Sequence, residues 1–213
     1  MLIKNNEYIK CDAEDIVDGV VTIPQGVTTI GKEAFAVNDN IKKVKLPDGV
    51  KEIGYRAFYF CSNVLEINLP ESVEIIEPLA FYACNSLKDV KLPKNLKFLG
   101  DNSFGCTAIE CIEIPKSIEV IYEQTFIDCQ NLKKVVLNEG LVEIMFAAFL
   151  HCECLQEINL PSTLKQIGYC VFDGCNIKTI EISKNTKLAD EISKNTKLAE
   201  SIFGNRLKTI IYK

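Results

Sequence analysis

Two ladders of residues that share one period constrain the fold of this chain most strongly. Proline occupies positions 24, 47, 70, 93, 115 and 161, with Asn138 filling the gap between the last two. Phenylalanine occupies positions 35, 58, 81, 104, 126, 149 and 172. Both ladders advance by 23 residues, with one step of 22 at the same place. Two residue types that keep one period indicate an internal repeat, and repeats of this length are typical of solenoids.

The cleanest copy of the repeat, residues 44–64, reads VKLPDGVKEIGYRAFYFCSNV. Its start, Val44-Lys45-Leu46, alternates apolar and polar residues as a half-buried strand does, and the proline then ends that strand. We expect a second extended piece from Val50 to Ile53 and about one helical turn over Tyr55 to Phe58. The glycines between these pieces allow a bend with positive φ. They are Gly31, Gly54, Gly100 and Gly168, whereas Glu77, Tyr122 and Met145 stand at the matching positions of other copies.

A unit of this length cannot bury its own apolar face, but copies stacked on each other can. The strands of neighbouring units would then pair in parallel at about 4.8 Å. The phenylalanines would form a continuous aromatic spine. The repeat therefore predicts an α/β solenoid that consists mostly of short parallel strands and loops.

The repeat resembles the BspA-like class of leucine-rich repeat proteins. The resemblance is carried by the Ile-Pro or Leu-Pro step, by Ile30-Gly31 with Ala34-Phe35, and by Ala57-Phe58 followed by Cys61. It covers roughly residues 20–182. It implies a right-handed leucine-rich-repeat superhelix that recognises proteins without catalysis. It also leaves a bacterial cell-surface location open, because several family members are surface proteins.

The two ends of the chain differ from the repeats, as the caps of a solenoid do. We expect one domain, with an N-terminal cap hairpin over residues 1–19, seven repeats over 20–182 and a C-terminal cap over 183–213. In that cap the nonapeptide EISKNTKLA occurs at 181–189 and again at 191–199. The first copy should be the strand and the second irregular or helical. Phe203 would continue the aromatic spine, and a strand at Leu207 to Tyr212 would close the stack.

Ten cysteines raise the question of metal or redox chemistry. Six of them, Cys61, Cys84, Cys106, Cys129, Cys152 and Cys175, follow the repeat, so we interpret them as reduced core residues in one column. The alternative is a metal site at His151-Cys152-Glu153-Cys154, but no further ligands complete a zinc set there. Two cysteine pairs, 106 with 111 and 170 with 175, could form disulfides under oxidation. We predict no metal and no cofactor.

Catalysis and several partner classes have little support in the sequence. The single histidine has no recognisable serine partner, and neither common glycine-rich phosphate loop is present. We therefore expect no enzyme; the alternative would need a deep pocket around His151 with convergent acids. The net charge of −5 argues against nucleic acid. No apolar run suggests a secretory signal or membrane insertion, so we expect a cytoplasmic monomer or weak oligomer.

The outward positions of the predicted strands remain as the candidate binding surface. Residues two and four places before the proline position should face outwards on the concave side. We expect a protein partner, of unknown identity, to bind there, and no aromatic cluster marks an energetic centre. A self-assembling or adhesive solenoid is the alternative function. The candidate face comprises Lys43, Lys45, Glu66, Asn68, Asp89, Lys91, Glu113, Lys134, Glu157 and Asn159.

Overall fold

The computed structural model describes residues 1–184 and 186–213, apart from the side chain of Thr196. These residues form a parallel β-solenoid of about seven turns. The strands before the second turn are β1 (Leu2–Lys4), β2 (Glu7–Lys10), β3 (Ile16–Val17), β4 (Val20–Thr22) and β5 (Thr29–Ile30), with a 3-10 helix at Ala13–Asp15. The next are β6 (Lys43–Lys45), β7 (Glu52–Ile53), β8 (Glu66–Asn68), β9 (Ile75–Ile76), β10 (Phe98–Leu99), β11 (Cys111–Ile114) and β12 (Val120–Ile121). The last elements are β13 (Lys134–Leu137), β14 (Glu143–Ile144), β15 (Gln166–Ile167), β16 (Thr179–Ile182), α1 (Lys187–Lys194), α2 (Thr196–Phe203) and β17 (Thr209–Tyr212).

Strands precede most of the proline positions and pair in parallel with their equivalents in neighbouring turns, whereas only isolated bridges occur before Pro93 and Pro161. Strands β4, β6 and β8 form one such ladder, with Val21 opposite Val44 and Val44 opposite Ile67. Isolated bridges at Asp89 carry the ladder on to β11, which pairs with β13. Further single bridges reach β16, which pairs with β17. The predicted parallel stacking is therefore confirmed, and we call this side the principal strand face.

A second parallel ladder runs along another side of each turn. It is made of the four-residue β2 and of two-residue strands, with β2, β5, β7, β9 and β10 in one sheet and β12, β14 and β15 in the other. Thr29 lies opposite Glu52, and Glu52 lies opposite Ile75. The extended piece predicted before the glycine is thus present, with Ile53 buried and Glu52 half-buried.

The third side of each turn is a ribbon of tight turns, and the predicted helical turn there was wrong. In the first copy the amide of Ala34 donates to Gly31 within the same turn at 3.2 Å. The amide of Phe35 instead donates to Ala57 of the next turn at 2.9 Å. This alternation continues along the ribbon, so every second amide connects two turns. An α-helix would direct all its amides along its own axis and would leave neighbouring turns unconnected.

Left-handed residues produce this alternation, and most of them are not glycine. Each copy of the ribbon has two positions with φ between +54° and +75°. The first position is held by Glu33, Arg56, Leu79, Asn102, Gln124, Ala147 and Cys170. The second position is held by Val37, Phe60, Ala83, Cys106, Asp128, His151 and Gly174. We call this side the turn ribbon.

The glycines before the ribbon do not have the positive φ that the sequence suggested. Gly31, Gly54, Gly100 and Gly168 all lie outside the left-handed region. A Cβ at Gly54 would instead lie 2.6 Å from the carbonyl oxygen of Ile30 in the preceding turn. The glycine is therefore needed for the close approach of two backbones, and its freedom to bend is not used.

A stack of aromatic rings fills the interior from one end of the solenoid to the other, as predicted. Phe35 and Phe58 stack at a centroid distance of 4.8 Å with an interplanar angle of 3°. The spacing is 5.9 Å between Phe104 and Phe126, where the repeat has its single step of 22 residues. Tyr8 begins the stack. Phe203 ends it, 5.6 Å from Phe172.

The segments flanking the repeats use different structures at the two ends. Before the first repeat strand, β1 pairs antiparallel with β2, and β3 pairs antiparallel with β4. At the other end, only Glu181 and Ile182 of the first nonapeptide belong to a strand, and its last residues begin α1. The second nonapeptide lies in α1 and α2, as expected for a helical copy. The closing strand β17 is present but begins at Thr209.

In the part of the chain that the structure describes, neither α1 nor α2 has the length or the apolar character needed for a membrane-spanning helix.

Removing one ring from the spine should destabilise the protein strongly. Phe58 is fully buried between Phe35 and Phe81. We expect Phe58→Ala to lower the free energy of unfolding by about 3–5 kcal/mol, because a buried aromatic residue leaves a cavity when truncated. Urea denaturation followed by circular dichroism measures this change. The control is Phe60→Ala, where the ring is 41% exposed. Similar losses in both variants would contradict the role of the spine.

A methyl group at Gly54 should disrupt the close approach of two turns. We expect Gly54→Ala to lower the free energy of unfolding by about 1–3 kcal/mol, the usual range for overpacking. The effect is large because backbone atoms cannot move aside as readily as the end of a side chain. The control is Gly105→Ala, where the atoms nearest to a Cβ belong to the side chains of Tyr82 and Ile127. The same denaturation assay compares the two. If Gly54→Ala lowers the free energy of unfolding no more than Gly105→Ala does, the two backbones can separate.

Candidate functional site

The principal strand face presents two rows of side chains outwards, because alternate residues of a strand point to opposite sides. In β6 the inward Val44 is buried, whereas Lys45 is exposed and Lys43 is half-buried. The same pattern recurs in β8, where Ile67 is buried and Asn68 is exposed. The alternation therefore places the candidate residues on one continuous surface of successive turns.

Some of the candidate residues pair with each other along the face, and others extend into solvent. Lys43 donates to both carboxylate oxygens of Glu66 at 2.8 Å, and this bond holds the pKa of Glu66 below its ordinary value. Asn68 also donates to Glu66, at 3.2 Å. By contrast, the side chain of Lys91 is 82% exposed, and the carboxylate of Glu71 is 4.0 Å from its Nζ. The charges of the face are therefore partly neutralised at its first turns and open further along.

Shallow depressions lie on this face, and two of them coincide with weak points of the strand ladder. One has a volume of about 690 Å³ and the other about 500 Å³. They form where Asp89 and Glu157 join the ladder through isolated bridges. Residues of the first depression include Glu66, Asn68, Asp89, Lys91 and Cys111. Residues of the second include Lys134, Val136, Cys154, Glu157 and Asn159.

The cysteine column was predicted with one wrong member. Cys61, Cys84, Cys129, Cys152 and Cys175 are buried, and each Sγ donates to a phenylalanine carbonyl of the preceding turn at 3.0–3.2 Å. Cys106 is only half-buried and has a left-handed φ of 57°. Thr107 holds the position instead, with Oγ1 3.3 Å from the Sγ of Cys129. The error arose because the column is three residues after phenylalanine, and Cys106 is two residues after Phe104.

The cysteines that raised the metal question are all free thiols, and each of the ten lies in the described residues. Cys152 is committed to the carbonyl of Phe126, and His151 Nδ1 lies 3.1 Å from the carboxylate of Asp128. Cys154 is exposed on the principal strand face. Within the described part of the chain, no group of three or more His, Cys, Asp or Glu side chains could hold a metal ion.

Aromatic side chains cluster on another side of the solenoid, outside the face for which no aromatic cluster was predicted. On the turn ribbon, the guanidinium of Arg56 lies 5.0 Å from the ring centroid of Tyr55 and 4.8 Å from that of Tyr59. Tyr59 stacks on Tyr82 of the next turn at 5.6 Å. Phe60 packs edge-on against Tyr59 at 4.6 Å. We call Tyr55, Arg56, Tyr59, Phe60 and Tyr82 the aromatic–arginine cluster.

The repeat period predicts one contact of this cluster, but it does not predict that the five side chains come together. Tyr59 and Tyr82 are 23 residues apart, so the period alone makes them neighbours. Tyr55 and Phe60 come from other positions of the repeat, so the period does not place them beside the tyrosine pair. A hydrogen bond with Cys106 and partial burial raise the pKa of Tyr82 to about 12, so the stacked ring is uncharged at neutral pH.

Comparison with known proteins identifies the family that shares this architecture. The family model for the BspA type leucine rich repeat region matches residues 3–133 and 120–213, with six copies. The chain belongs to this family of leucine-rich repeat proteins. No curated protein matches it.

Solved structures of bacterial leucine-rich repeat proteins have the same fold. A leucine-rich repeat protein of T. pallidum is 26% identical, with a TM-score of 0.70 over 78% of this chain and 89% of that one. One from Bacteroides ovatus is 25% identical, with a TM-score of 0.62 over 84% of this chain. The present chain spans only 56% of that protein's length. A leucine rich cell surface protein of Faecalibacterium prausnitzii is 23% identical, with a TM-score of 0.56. The matched region covers 91% of this chain and 59% of that protein, and this similarity shows the fold alone. The family and these neighbours are leucine-rich repeat proteins, and none of them is named as an enzyme.

The thiols should divide into two classes of reactivity. Burial raises the pKa of Cys61 and of Cys129 to about 12, so at pH 8 only about one in ten thousand of these thiols is the reactive thiolate. Cys111 and Cys154 are exposed. We expect Ellman's reagent to modify these two first, and each Cys→Ser change at them to remove one fast equivalent. In denaturant all ten should react at similar rates. Fast modification of Cys61 in the native protein would contradict the buried column.

Proposed function

We propose that the chain is a non-catalytic protein-binding module and that a protein partner binds the principal strand face. The observation that carries the proposal is the series of outward side chains across the turns, which the solenoid holds in fixed register. Such extended surfaces are what repeat proteins use for macromolecular recognition. The fold leaves these positions free, because the inward positions of the same strands are used for packing.

The chemistry of the face supports a polar, charged partner surface. Exposed charges of both signs, such as Lys45, Asp89 and Lys134, occur along the turns, so a complementary pattern of charges would be recognised. The two shallow depressions could admit single side chains of the partner, and they are open on the solvent side. Charged residues of this kind contribute more to the rate and specificity of association than to affinity.

Reversing three charges of the face tests the proposal. The variant carries Lys45→Glu, Lys91→Glu and Glu113→Lys, and all three residues are exposed. We expect protein partners captured by the tagged wild-type chain from the native cell extract to be reduced about tenfold or more by the variant, because like charges would face each other. Quantitative mass spectrometry of the captured proteins measures the change.

A second triple variant controls for the change in net charge. Lys51→Glu, Lys165→Glu and Glu123→Lys make the same net change at exposed positions outside the strands of this face. We expect it to capture the same partners as the wild type. Partners that persist with the first variant, or that are lost equally with both, would rule out the principal strand face as the binding surface.

A further inference from the structure

We propose that the aromatic–arginine cluster is a second binding surface, which takes an acidic segment of a protein partner. In this arrangement a partner carboxylate binds the guanidinium of Arg56, and an apolar side chain next to it packs on Phe60. The cluster lies on the turn ribbon and shares no residue with the principal strand face, so the two surfaces can be tested independently.

Arg56 is held in place without its hydrogen-bonding capacity being used. Two tyrosine rings flank the guanidinium, at 5.0 and 4.8 Å. Its Nε is buried without a hydrogen-bond partner among the described residues, so Nη1 and Nη2 are the donors on offer to a ligand. Nη1 is 3.7 Å from Glu33 Oε1, which is beyond hydrogen-bond distance. The side chain is still 37% exposed. An arginine fixed by stacking presents a planar pair of donors that matches a carboxylate.

The solenoid also preorganises the surroundings of Arg56. The amide of Arg56 donates to Pro78 at 3.2 Å, and the amide of Phe60 donates to Tyr82 at 2.8 Å. Both bonds reach the next turn, so the ribbon fixes the backbone on either side of the tyrosines. Tyr59 is packed between Phe60 and Tyr82. Binding therefore requires little ordering of side chains, and that ordering is one of the costs that weaken association.

The local charge of the cluster favours an anionic ligand. Lys32 lies 5.5 Å from the ring of Tyr55, so the cluster carries two cations. Glu33 is the carboxylate that pairs with Arg56 among the described residues. A local excess of positive charge in a chain of net charge −5 favours an acidic partner segment. Nucleic acid would also be anionic, but the remaining acidic surface would repel a long polyanion.

The residue types of the cluster favour a protein partner. Tyrosine and arginine are among the residues that most often dominate binding energy at protein interfaces. Phe60 adds an apolar ring that is 41% exposed although it is held at both edges by tyrosines. A protein segment offers the matching pair, a carboxylate beside an apolar side chain, within one or two residues. An acidic glycan would offer the carboxylate alone.

The test is selection of random linear 12-residue peptides, displayed on phage, on the immobilised full chain, with counter-selection on Arg56→Ala. We expect enriched peptides to carry Asp or Glu next to an apolar residue. A synthetic peptide of the enriched sequence should lose about tenfold or more in affinity when its acid is changed to the amide. Arg56→Ala and Phe60→Ala should each cause a similar loss, and Arg56→Lys a smaller one, because lysine cannot form the planar pair of bonds.

Two control variants show whether peptide binding is specific to the cluster. Arg206→Ala removes the other arginine of the chain, which donates to the carbonyl of Gly174, and it should leave peptide affinity unchanged. The triple variant of the principal strand face should also bind the peptide normally, so failure of one proposal does not imply failure of the other. Circular dichroism checks the fold of each variant, and Arg56→Lys serves as the test if Arg56→Ala does not fold.

Three results would overturn the proposal. The first is a selection that yields no enrichment, or enrichment of peptides without an acidic residue. The second is a selected peptide that binds Arg56→Ala or Arg56→Lys as tightly as the wild type. The third comes from a glycan array: binding of acidic oligosaccharides that depends on Arg56, with no peptide bound, would assign the cluster to carbohydrate.

Discussion

The backbone hydrogen bond between neighbouring turns is the interaction on which this structure depends. A two-residue strand such as β7 cannot satisfy its own amides and carbonyls, and the turn ribbon satisfies only every second amide within its own turn. The remaining groups find partners one turn away, on all three sides of the solenoid. Buried polar groups without partners are costly, so a single turn has no stable fold alone, and stacking is obligatory. The aromatic spine fills the space that this stacking encloses.

This constraint divides each repeat into structural and free positions. Val44, Ile53, Phe58 and Cys61 point inwards and are almost completely buried, so their chemistry serves packing. The thiol of Cys61 illustrates the point, because it donates to the carbonyl of Phe35 and has a raised pKa. A buried thiol of that kind is a poor nucleophile and a poor metal ligand. Function is therefore left to the outward positions.

The sequence predicted the parts of the fold that periodicity determines. The phenylalanine ladder and the parallel strands before the prolines follow from a single period. The ring stack is complete, whereas the strand is reduced to isolated bridges before Pro93 and Pro161. The turn ribbon could not be predicted, because residues such as Arg56 and Phe60 adopt the left-handed conformation without any compositional signal for it. Their conformation is imposed by the hydrogen bonds to the next turn. Cys106 was assigned to the wrong position for a related reason. One repeat is a residue shorter than the others, and the sequence does not show at which position that residue is missing.

The two candidate surfaces differ in how far sequence reasoning could reach them. The principal strand face follows from strand alternation, so its residues were predictable, although which of them a partner contacts is decided by that partner. The aromatic–arginine cluster requires Tyr55, Arg56, Tyr59 and Phe60 to lie together within one short segment. A helix would have placed Tyr55 and Tyr59 on one stripe and Arg56 and Phe60 on another, about 100° away. The alternating ribbon instead brings Arg56 between two rings, so the conformation that makes the turns stack also creates the surface that we expect to bind.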